Sequence, residues 1–585
     1  FLASGTSSVL LNGVPEKQFA CKKGVRQGDP LSPLLFAIAA DLLQSVVNDM
    51  HRKGLLQLPI PCHDKDYPII QYADDTLIIM PAEESQLLSL KKMLLLFSKS
   101  TGLHVNYHKS SMLPINVDSV EIARLASVFG CVVGSLPFTY LGLPVGINKP
   151  KILDLMPLVD SMERKLSVSS SFLAHGGRLQ YLISALSSVP IFFLCSLDLP
   201  PGILKQLERI QRQCLWRKYG QESGQSLAAW SLVCRPKNKG GLGILNLGLQ
   251  NEALLLKHVS KFYNKVDVPW VHLIWNTYYH GRVPHATTFC GSFWWRDICK
   301  LMDKFRMVCT VHVHRGDTVL FWSDSWSLGD SSVPLDQRFA RLFSFVIDPL
   351  ISAAEVFDMS ELTPLFHLPL SERAFGELQS LQSLLGNSNV NHQLNDVWVW
   401  KEDGKEYSAK KYYTFLHKHI VSNPILSWIW ASCCTLRIKF FAWMLIMDRL
   451  NTQDMLERRH WNVSDSNLCV LCPTHTKEDR DHLFFQCNFS CRVWNYLQIS
   501  WPAGDDMTAI AFHARRDFAR PFFSEVVFLA CWNIWNVRND RVFRNIKPSF
   551  RRWRASFILD VSLLVHRIKP KFKDDLIRWI SFLPP

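Results

Sequence analysis

Cys469 and Cys472 bracket two residues, His482 follows after nine more, and Cys487 after a further four. The order Cys-x2-Cys-x9-His-x4-Cys suits tetrahedral Zn²⁺ held by three thiolates and one imidazole. The Cys-x2-Cys turn places two sulfurs together, and His482 with Cys487 can come from a short helix. Four protein ligands make a closed, structural site, with no position left open for catalysis. The competing reading is a group of buried reduced thiols, and His475 and Cys491 stand near enough in sequence to substitute as ligands. The remaining cysteines of the sixteen form no disulfide framework. They sit singly among apolar residues, as Cys195 does after Phe192-Phe193-Leu194 and Cys214 before Leu215-Trp216. That pattern reads as reduced thiols of an intracellular protein, with the nucleus as one place of action.

A chain of 585 residues at about 150 per domain holds roughly three to four domains. With 48% hydrophobic residues and a mean hydropathy of +0.03 it is not a wholly disordered chain. No uninterrupted apolar run reaches the roughly 18 residues of a membrane span; Leu34 to Leu43 and Val526 to Val537 are short and carry polar residues. No membrane partner is therefore expected. The net charge of +14 and the pI near 9.1 favour a polyanionic partner. The chain starts at Phe1, so its beginning says nothing about targeting signals.

The texture predicts a multi-domain α+β chain. Residues 1–148 alternate short apolar runs with turns. Residues 149–285 carry long helical patterns, including one over Leu204, Leu207, Glu208, Gln211 and Leu215, and one over Leu254, Leu255, Lys257, His258 and Phe262. Residues 286–395 are rich in Trp and Phe, residues 396–500 flank the Cys/His set with helices, and residues 501–585 are basic, Trp-rich and helical in pattern.

Near the N-terminus, Pro68-Ile69-Ile70-Gln71-Tyr72-Ala73-Asp74-Asp75-Thr76-Leu77-Ile78-Ile79-Met80 holds two β-like runs that meet at two carboxylates. It predicts a hairpin with acids at its tip. Such a tip either solvates a turn or serves as a platform for Mg²⁺, which prefers oxygen ligands. Two such ions about 3.5–4 Å apart stabilise the attacking and leaving oxygens of phosphoryl transfer. Upstream, Gly24-Val25-Arg26-Gln27-Gly28-Asp29-Pro30-Leu31-Ser32-Pro33 is a turn-rich loop feeding an apolar helix. Ser32 is read as its N-cap and Pro33 as its first residue. Gly28 allows close backbone approach to a ligand, and Arg26 supplies a phosphate-seeking charge.

Together the loop and the Tyr72-Ala73-Asp74-Asp75 hairpin resemble the reverse transcriptases of non-LTR (LINE-type) retrotransposons, especially those of plants. The resemblance implies a palm whose loop packs on template and incoming nucleotide, with Arg26, Gln27, Gly28 and Tyr72 lining that pocket. Asp74 and Asp75 would be the catalytic ligands of Mg²⁺ or Mn²⁺. The segment Phe97, Thr101-Gly102-Leu103, Asn106 and Lys109-Ser110 is similar to the next family motif, which places Lys109 near the pyrophosphate leaving group; a solvated surface lysine is the alternative. Tyr140-Leu141-Gly142-Leu143-Pro144-Val145-Gly146 resembles the hairpin that grips the primer. Gly176-Gly177-Arg178, Trp216, Trp230, Cys234-Arg235-Pro236-Lys237 and Gly240-Gly241-Leu242-Gly243 recur in plant members and imply a helical thumb and connection over 149–285. Tyr407-Ser408-Ala409-Lys410, Lys439-Phe440-Phe441-Ala442-Trp443, Arg449-Leu450-Asn451-Thr452, His482-Leu483-Phe484-Phe485 and Trp494 resemble the family's zinc-binding module, so Cys469, Cys472, His482 and Cys487 are the expected structural zinc ligands. Within that module Phe440, Trp443, Met444 and Met447 share a helical face that reads as core.

In the family a third catalytic carboxylate lies well upstream of the Arg-Gln-Gly-Asp motif. Here the first 28 residues contain one acid, Glu16. The resemblance thus implies a partial, N-terminally truncated palm, with Val9 to Ala20 forming a strand pair, apolar surface uncovered around Leu34 to Leu43, and no primer extension by this chain alone. At the other end, residues 538–578 hold twelve Lys/Arg against four Asp, with Trp532, Trp535, Trp553 and Trp579 interleaved. Nonspecific nucleic-acid affinity is expected there, and the tryptophans read as the core of a solvated amphipathic helix ahead of a specific stacking site. No ribonuclease H signature follows Trp494. The leading reading is a retrotransposon RNA-directed DNA polymerase fragment acting on an RNA template and a DNA primer or target. The alternative is a non-enzymatic, zinc-dependent nucleic-acid-binding or interaction protein derived from a retroelement. Oligomeric state is not legible.

Overall fold

The computed structural model describes the chain except residues 1–4, 22–27, 60–65, 170–172, 217–225, 280–282, 286–289, 327–332, 387–392, 462–466, 475, 503–506 and 585. Helices predominate, and the strands among the described residues form six two-stranded sheets. The chain divides into two units, residues 1–150 with 267–280, and residues 151–266 with 281–585.

In the first unit, Leu10–Leu11 pairs with Val14–Pro15 across Asn12-Gly13. Both turn residues have positive φ (52° and 83°), the type I′ geometry that matches strand twist. The 21-residue helix Ser32–Arg52 follows, with Pro33 in its first turn. Leu31, not Ser32, stands at the N-cap position without a side-chain cap bond, and the Asp29 carboxylate accepts the Leu31 N–H at 2.9 Å. By length and composition alone this helix could cross a membrane. Its polar residues are instead tied to a loop: Gln44 Nε2 donates to the Tyr67 carbonyl (3.0 Å), and Asn48 Oδ1 accepts the Tyr67 N–H (2.8 Å). Leu43, Val47 and Met50 pack with Leu90, Met93 and Leu94 of helix Glu84–Thr101. The opposite row, Leu34, Ile38 and Leu42, is 62%, 71% and 46% exposed.

In the second unit one apolar core gathers residues from 155–247, 426–499 and 514–576. It explains several residues for which the sequence offered no chemistry. Gly176 begins the helix His175–Tyr181, and a Cβ there would lie 2.6 Å from the Leu436 carbonyl carbon, at the start of helix Leu436–Ile446. Gly241 is packed still closer, against the Arg235 carbonyl. Trp443 is fully buried and donates from Nε1 to the Gly240 carbonyl (2.9 Å), and Phe440 stacks on His175. The stripe of helix Leu436–Ile446 is thus core. Gly176→Ala is expected to destabilise the second unit by about 1–3 kcal/mol, since a methyl group would meet backbone and not a movable side chain. A denaturation midpoint equal to that of the parent chain would contradict this contact.

The Trp-rich stretch closes on the strand pair Cys309–His312 and Val397–Trp400. Beside it Arg306 is buried against Asp324, and Arg306 Nη2 also meets the Tyr263 hydroxyl at 3.0 Å. Asp396 accepts the backbone N–H groups of His314, Gly316 and Thr318 at 2.8–3.1 Å. Arg306 and Asp396 are thus spent on structural partners, while Asp324 Oδ1 is left without a hydrogen bond.

Candidate metal centre and acidic hairpin

Cys469, Cys472, His482 and Cys487 converge so that their ligand atoms all lie within 4.8 Å of one another. Among the described residues they are the single group of three or more His, Cys, Asp or Glu that could hold a metal. The local chain explains the convergence. Leu468 and Lys477 form an antiparallel bridge, and the Cys469 N–H donates to the Thr476 carbonyl (2.8 Å), which folds 468–477 into a knuckle. His482 opens a helical turn whose first N–H is taken by Asp479 Oδ1 (2.7 Å). Cys487 is the N-cap of helix Asn488–Leu497. The Sγ atoms of Cys469 and Cys487 are 3.9 Å apart, and Cys472 Sγ is 3.3 Å from His482 Nε2. Tetrahedral zinc with Zn–S of about 2.3 Å and Zn–N of about 2.0 Å separates its ligands by roughly 3.5–3.8 Å, so the four atoms fit the ion. The Cys469 thiol donates to Cys487, and the N–H groups of Phe489 and Ser490 add to that, pushing the Cys487 thiol down to about 6. A thiolate at a helix N-terminus is the form a metal needs.

Of the substitute ligands, Cys491 directs its Sγ to the carbonyls of Phe485 and Gln486 (3.5 Å each), away from the cluster. His475 lies outside the described residues.

Sequence reasoning missed the partner of this knuckle. Glu478, which follows it directly, is completely buried, and Arg538 from helix Phe523–Arg544 is 2% exposed. Arg538 Nη2 and Nε donate to Glu478 Oε1 at 2.6 and 3.1 Å, and Nε also reaches Oε2 at 3.2 Å. The Gln453 N–H shares Oε1 (3.1 Å). Sixty residues separate the two charges, and no local pattern signals their meeting. The same packing settles the tryptophans of the basic segment. Trp553 is fully buried, and Trp532, Trp535 and Trp579 pack on the core, so none of them is a free stacking platform.

In the first unit, strands Ile69–Tyr72 and Asp75–Ile78 pair in the register Ile69↔Ile78, Ile70↔Leu77, Gln71↔Thr76 and Tyr72↔Asp75. Ile69 and Ile78 face the core, and Gln71 Nε2 reaches the Ala40 carbonyl of helix Ser32–Arg52 at 3.4 Å. Alternation then puts Asp75 on the outer face with Tyr72. Ala73 turns the chain at φ 50°, a left-handed conformation costing a non-glycine residue about 1–2 kcal/mol. Asp74 and Asp75 are both exposed at this tip. A second hairpin, Phe138–Tyr140 with Leu143–Val145, turns through Leu141 and Gly142 at φ 49° and 82°. Burial raises the Tyr140 phenol, and the Asp75 charge adds to the shift, so the two hairpins are electrostatic neighbours. Tyr72 is 63% exposed. Gly28 has φ 84°, a conformation that favours glycine. Lys109 is exposed in a turn where its backbone N–H bonds Asn106. Arg26 and Gln27 lie outside the described residues.

The first unit thus carries an acidic hairpin with a second hairpin as its electrostatic neighbour, and the second unit a four-residue Cys/His knuckle. Residues 2–145 match the family described as reverse transcriptase (RNA-dependent DNA polymerase), and residues 407–494 match zinc-binding in reverse transcriptase. These two regions are thus similar to a reverse transcriptase and to the zinc-binding module that accompanies one, as a plant LINE-type retroelement would carry. It is 25% identical over 359 residues to a protein of Arabidopsis thaliana named "Putative ribonuclease H protein", covering 60% of this chain and 56% of that one. It is 26% identical over 267 residues to a retrovirus-related Pol polyprotein from a type-1 retrotransposable element of Popillia japonica, covering 43% of this chain and 41% of that one. An uncharacterized mitochondrial protein of Arabidopsis thaliana is 23% identical over 154 residues, 25% of this chain and 97% of the relative. The chain therefore spans about half the length of the first two relatives.

Proposed function

We propose that the first unit is the metal-bearing portion of a polymerase palm for RNA-directed DNA synthesis, in which a primer 3′-hydroxyl attacks a nucleoside triphosphate between two Mg²⁺ or Mn²⁺ ions. Asp74 is the shared metal ligand and Asp75 the second. Arg26, Gln27, Gly28 and Tyr72 line the nucleotide and template, and Lys109 serves the leaving pyrophosphate. The observation that carries this reading is the pair of exposed carboxylates on a tightly turned hairpin whose other end is fixed in a core. Residues 149–285 act as thumb and connection, and the protein works inside the cell, in the nucleus.

We further propose that these residues alone do not polymerise. Among the described residues no third Asp, Glu, His or Cys joins Asp74 and Asp75 in a ligand cluster. Two carboxylates compensate poorly for dehydrating Mg²⁺, and electrostatic stabilisation by the metals dominates phosphoryl transfer. Primer extension on an RNA template with Mg²⁺ is expected to stay at background; template-dependent synthesis above it would overturn the claim of incompleteness.

The second reading, a zinc-dependent nucleic-acid-binding protein without catalysis, draws on the completeness of the four-ligand knuckle beside the two-ligand hairpin. An in-frame upstream sequence carrying the third aspartate favours the enzyme; a stop or frameshift favours this alternative.

A further inference from the structure

We propose that the last helix of the zinc module and the helix Phe550–Leu564 together form a binding surface for single-stranded nucleic acid, centred on Arg492, Arg551 and Arg554. The inference deepens the reading of the chain as a nucleic-acid-binding protein and rests on it. Its location differs from the tryptophan-based platform that the sequence of the basic segment suggests.

Arg492 lies one turn beyond the zinc ligand Cys487, on helix Asn488–Leu497. Its guanidinium carbon sits over the Phe550 ring, 4.4 Å from the centroid. Phe550 meets Tyr496 edge to face at 5.6 Å and stacks on buried Trp553 at 5.6 Å. Arg554 Nε donates to the Tyr496 hydroxyl at 3.2 Å, and that hydroxyl donates to the Pro584 carbonyl at 3.1 Å. A guanidinium held on an aromatic face loses little freedom when a base stacks on its outer side, and that outer side of Arg492 is exposed.

The charge balance points the same way. Residues 488–497 and 546–559 contain Arg492, Lys547, Arg551, Arg552 and Arg554 and no acid. Of the acids close by in sequence, Asp540 is engaged by Arg552 (3.6 Å) and Arg544 (3.3 Å), and Asp560, later on the same helix, accepts from Asn533 Nδ2 (2.8 Å). Arg492, Arg551 and Arg554 make no salt bridge among the described residues. A purely structural role for these cations would call for acidic partners or buried carbonyls. Arg538, on the preceding helix Phe523–Arg544, shows that arrangement, and these three do not. Guanidinium groups without a carboxylate partner beside aromatic rings match a flexible strand, which presents phosphates and unstacked bases together.

The test uses the full zinc-loaded chain and a fluorescein-labelled oligouridylate of roughly 16 nucleotides, the upper site size of a single-stranded-binding fold, in anisotropy titrations between about 50 and 200 mM salt. R492E/R551E is expected to weaken binding at least tenfold at low salt. It should also lower the salt slope by about 1.4, at roughly 0.7 per lost phosphate contact on a single strand. R492K keeps the charge but not the plane and is expected to lose about fivefold or more, the low end for a stacked base. K257E/K261E removes the same charge from the exposed face of helix Leu247–Tyr263 and should bind as the parent does. Zinc content equal to that of the parent certifies each variant's fold. Parent-like binding by R492E/R551E or by R492K, or equal loss in K257E/K261E, overturns the surface. A parent chain that binds no oligonucleotide even at low salt overturns the nucleic-acid reading itself.

Discussion

Replacing Arg538 with methionine is expected to cost about 3–5 kcal/mol, because it leaves the Glu478 carboxylate completely buried with only the Gln453 N–H for compensation. The loss should appear as a lower denaturant midpoint of the second unit. It should also appear as early proteolysis of the helices after residue 506, because Arg538 joins them to the zinc knuckle. Glu478→Leu in the same chain is expected to restore much of the stability. Removing both charges trades a desolvated ion pair for apolar contact, and such exchanges are often neutral or better. A single R538M variant within about 1 kcal/mol of the parent would mean that the pair is not sealed from water in solution. The family-matched zinc region ends at residue 494, so this pair marks the helices beyond it as part of the same folded body.

Removing zinc is expected to have the largest effect of all. Structural zinc supplies about 10–16 kcal/mol of apparent binding free energy in small modules near neutral pH. The purified chain should carry close to one equivalent. Chelation, or Cys469→Ser, should dissolve the knuckle and with it the packing of Phe484 on Trp535 and of Phe485 on Trp494. Near-ultraviolet circular dichroism reads that loss directly. Because thiolates and a neutral imidazole are the binding forms, zinc should also be released on acidification. Less than about half an equivalent of metal, or an unchanged spectrum after chelation, would remove the site.

The convergence of the four Cys/His side chains was legible because their spacing is local. A two-residue gap fixes two sulfurs on one turn, and the closing His482 and Cys487 sit five positions apart on a helical turn and its successor. The acidic hairpin was legible for the same reason, since alternating apolar residues on either side of Ala73-Asp74 specify a two-stranded register. The helix pattern over 254–262 was only partly right. Leu255 and Phe262 are buried, but Lys257 is exposed, and Leu256 and Val259 complete the buried face. Apolar periodicity had placed the helix but blurred its inward face, because both neighbours of the stripe are also leucines. Gly176 was recognisable as a family residue, yet its reason, contact with the Leu436 backbone, lies 260 positions away.

The sequence by itself determined the Cys/His cluster, the acid-tipped hairpin and the helical character of most of the second unit, all of which depend on neighbours within about twenty residues. Only the tertiary structure decided which cations are spent inside the protein and which face water. Arg538 and Arg306 neutralise buried carboxylates, while Arg492, Arg551 and Arg554 find none. A charge's role is set by the dielectric around it and by what approaches it in space, and neither is written in the residues beside it.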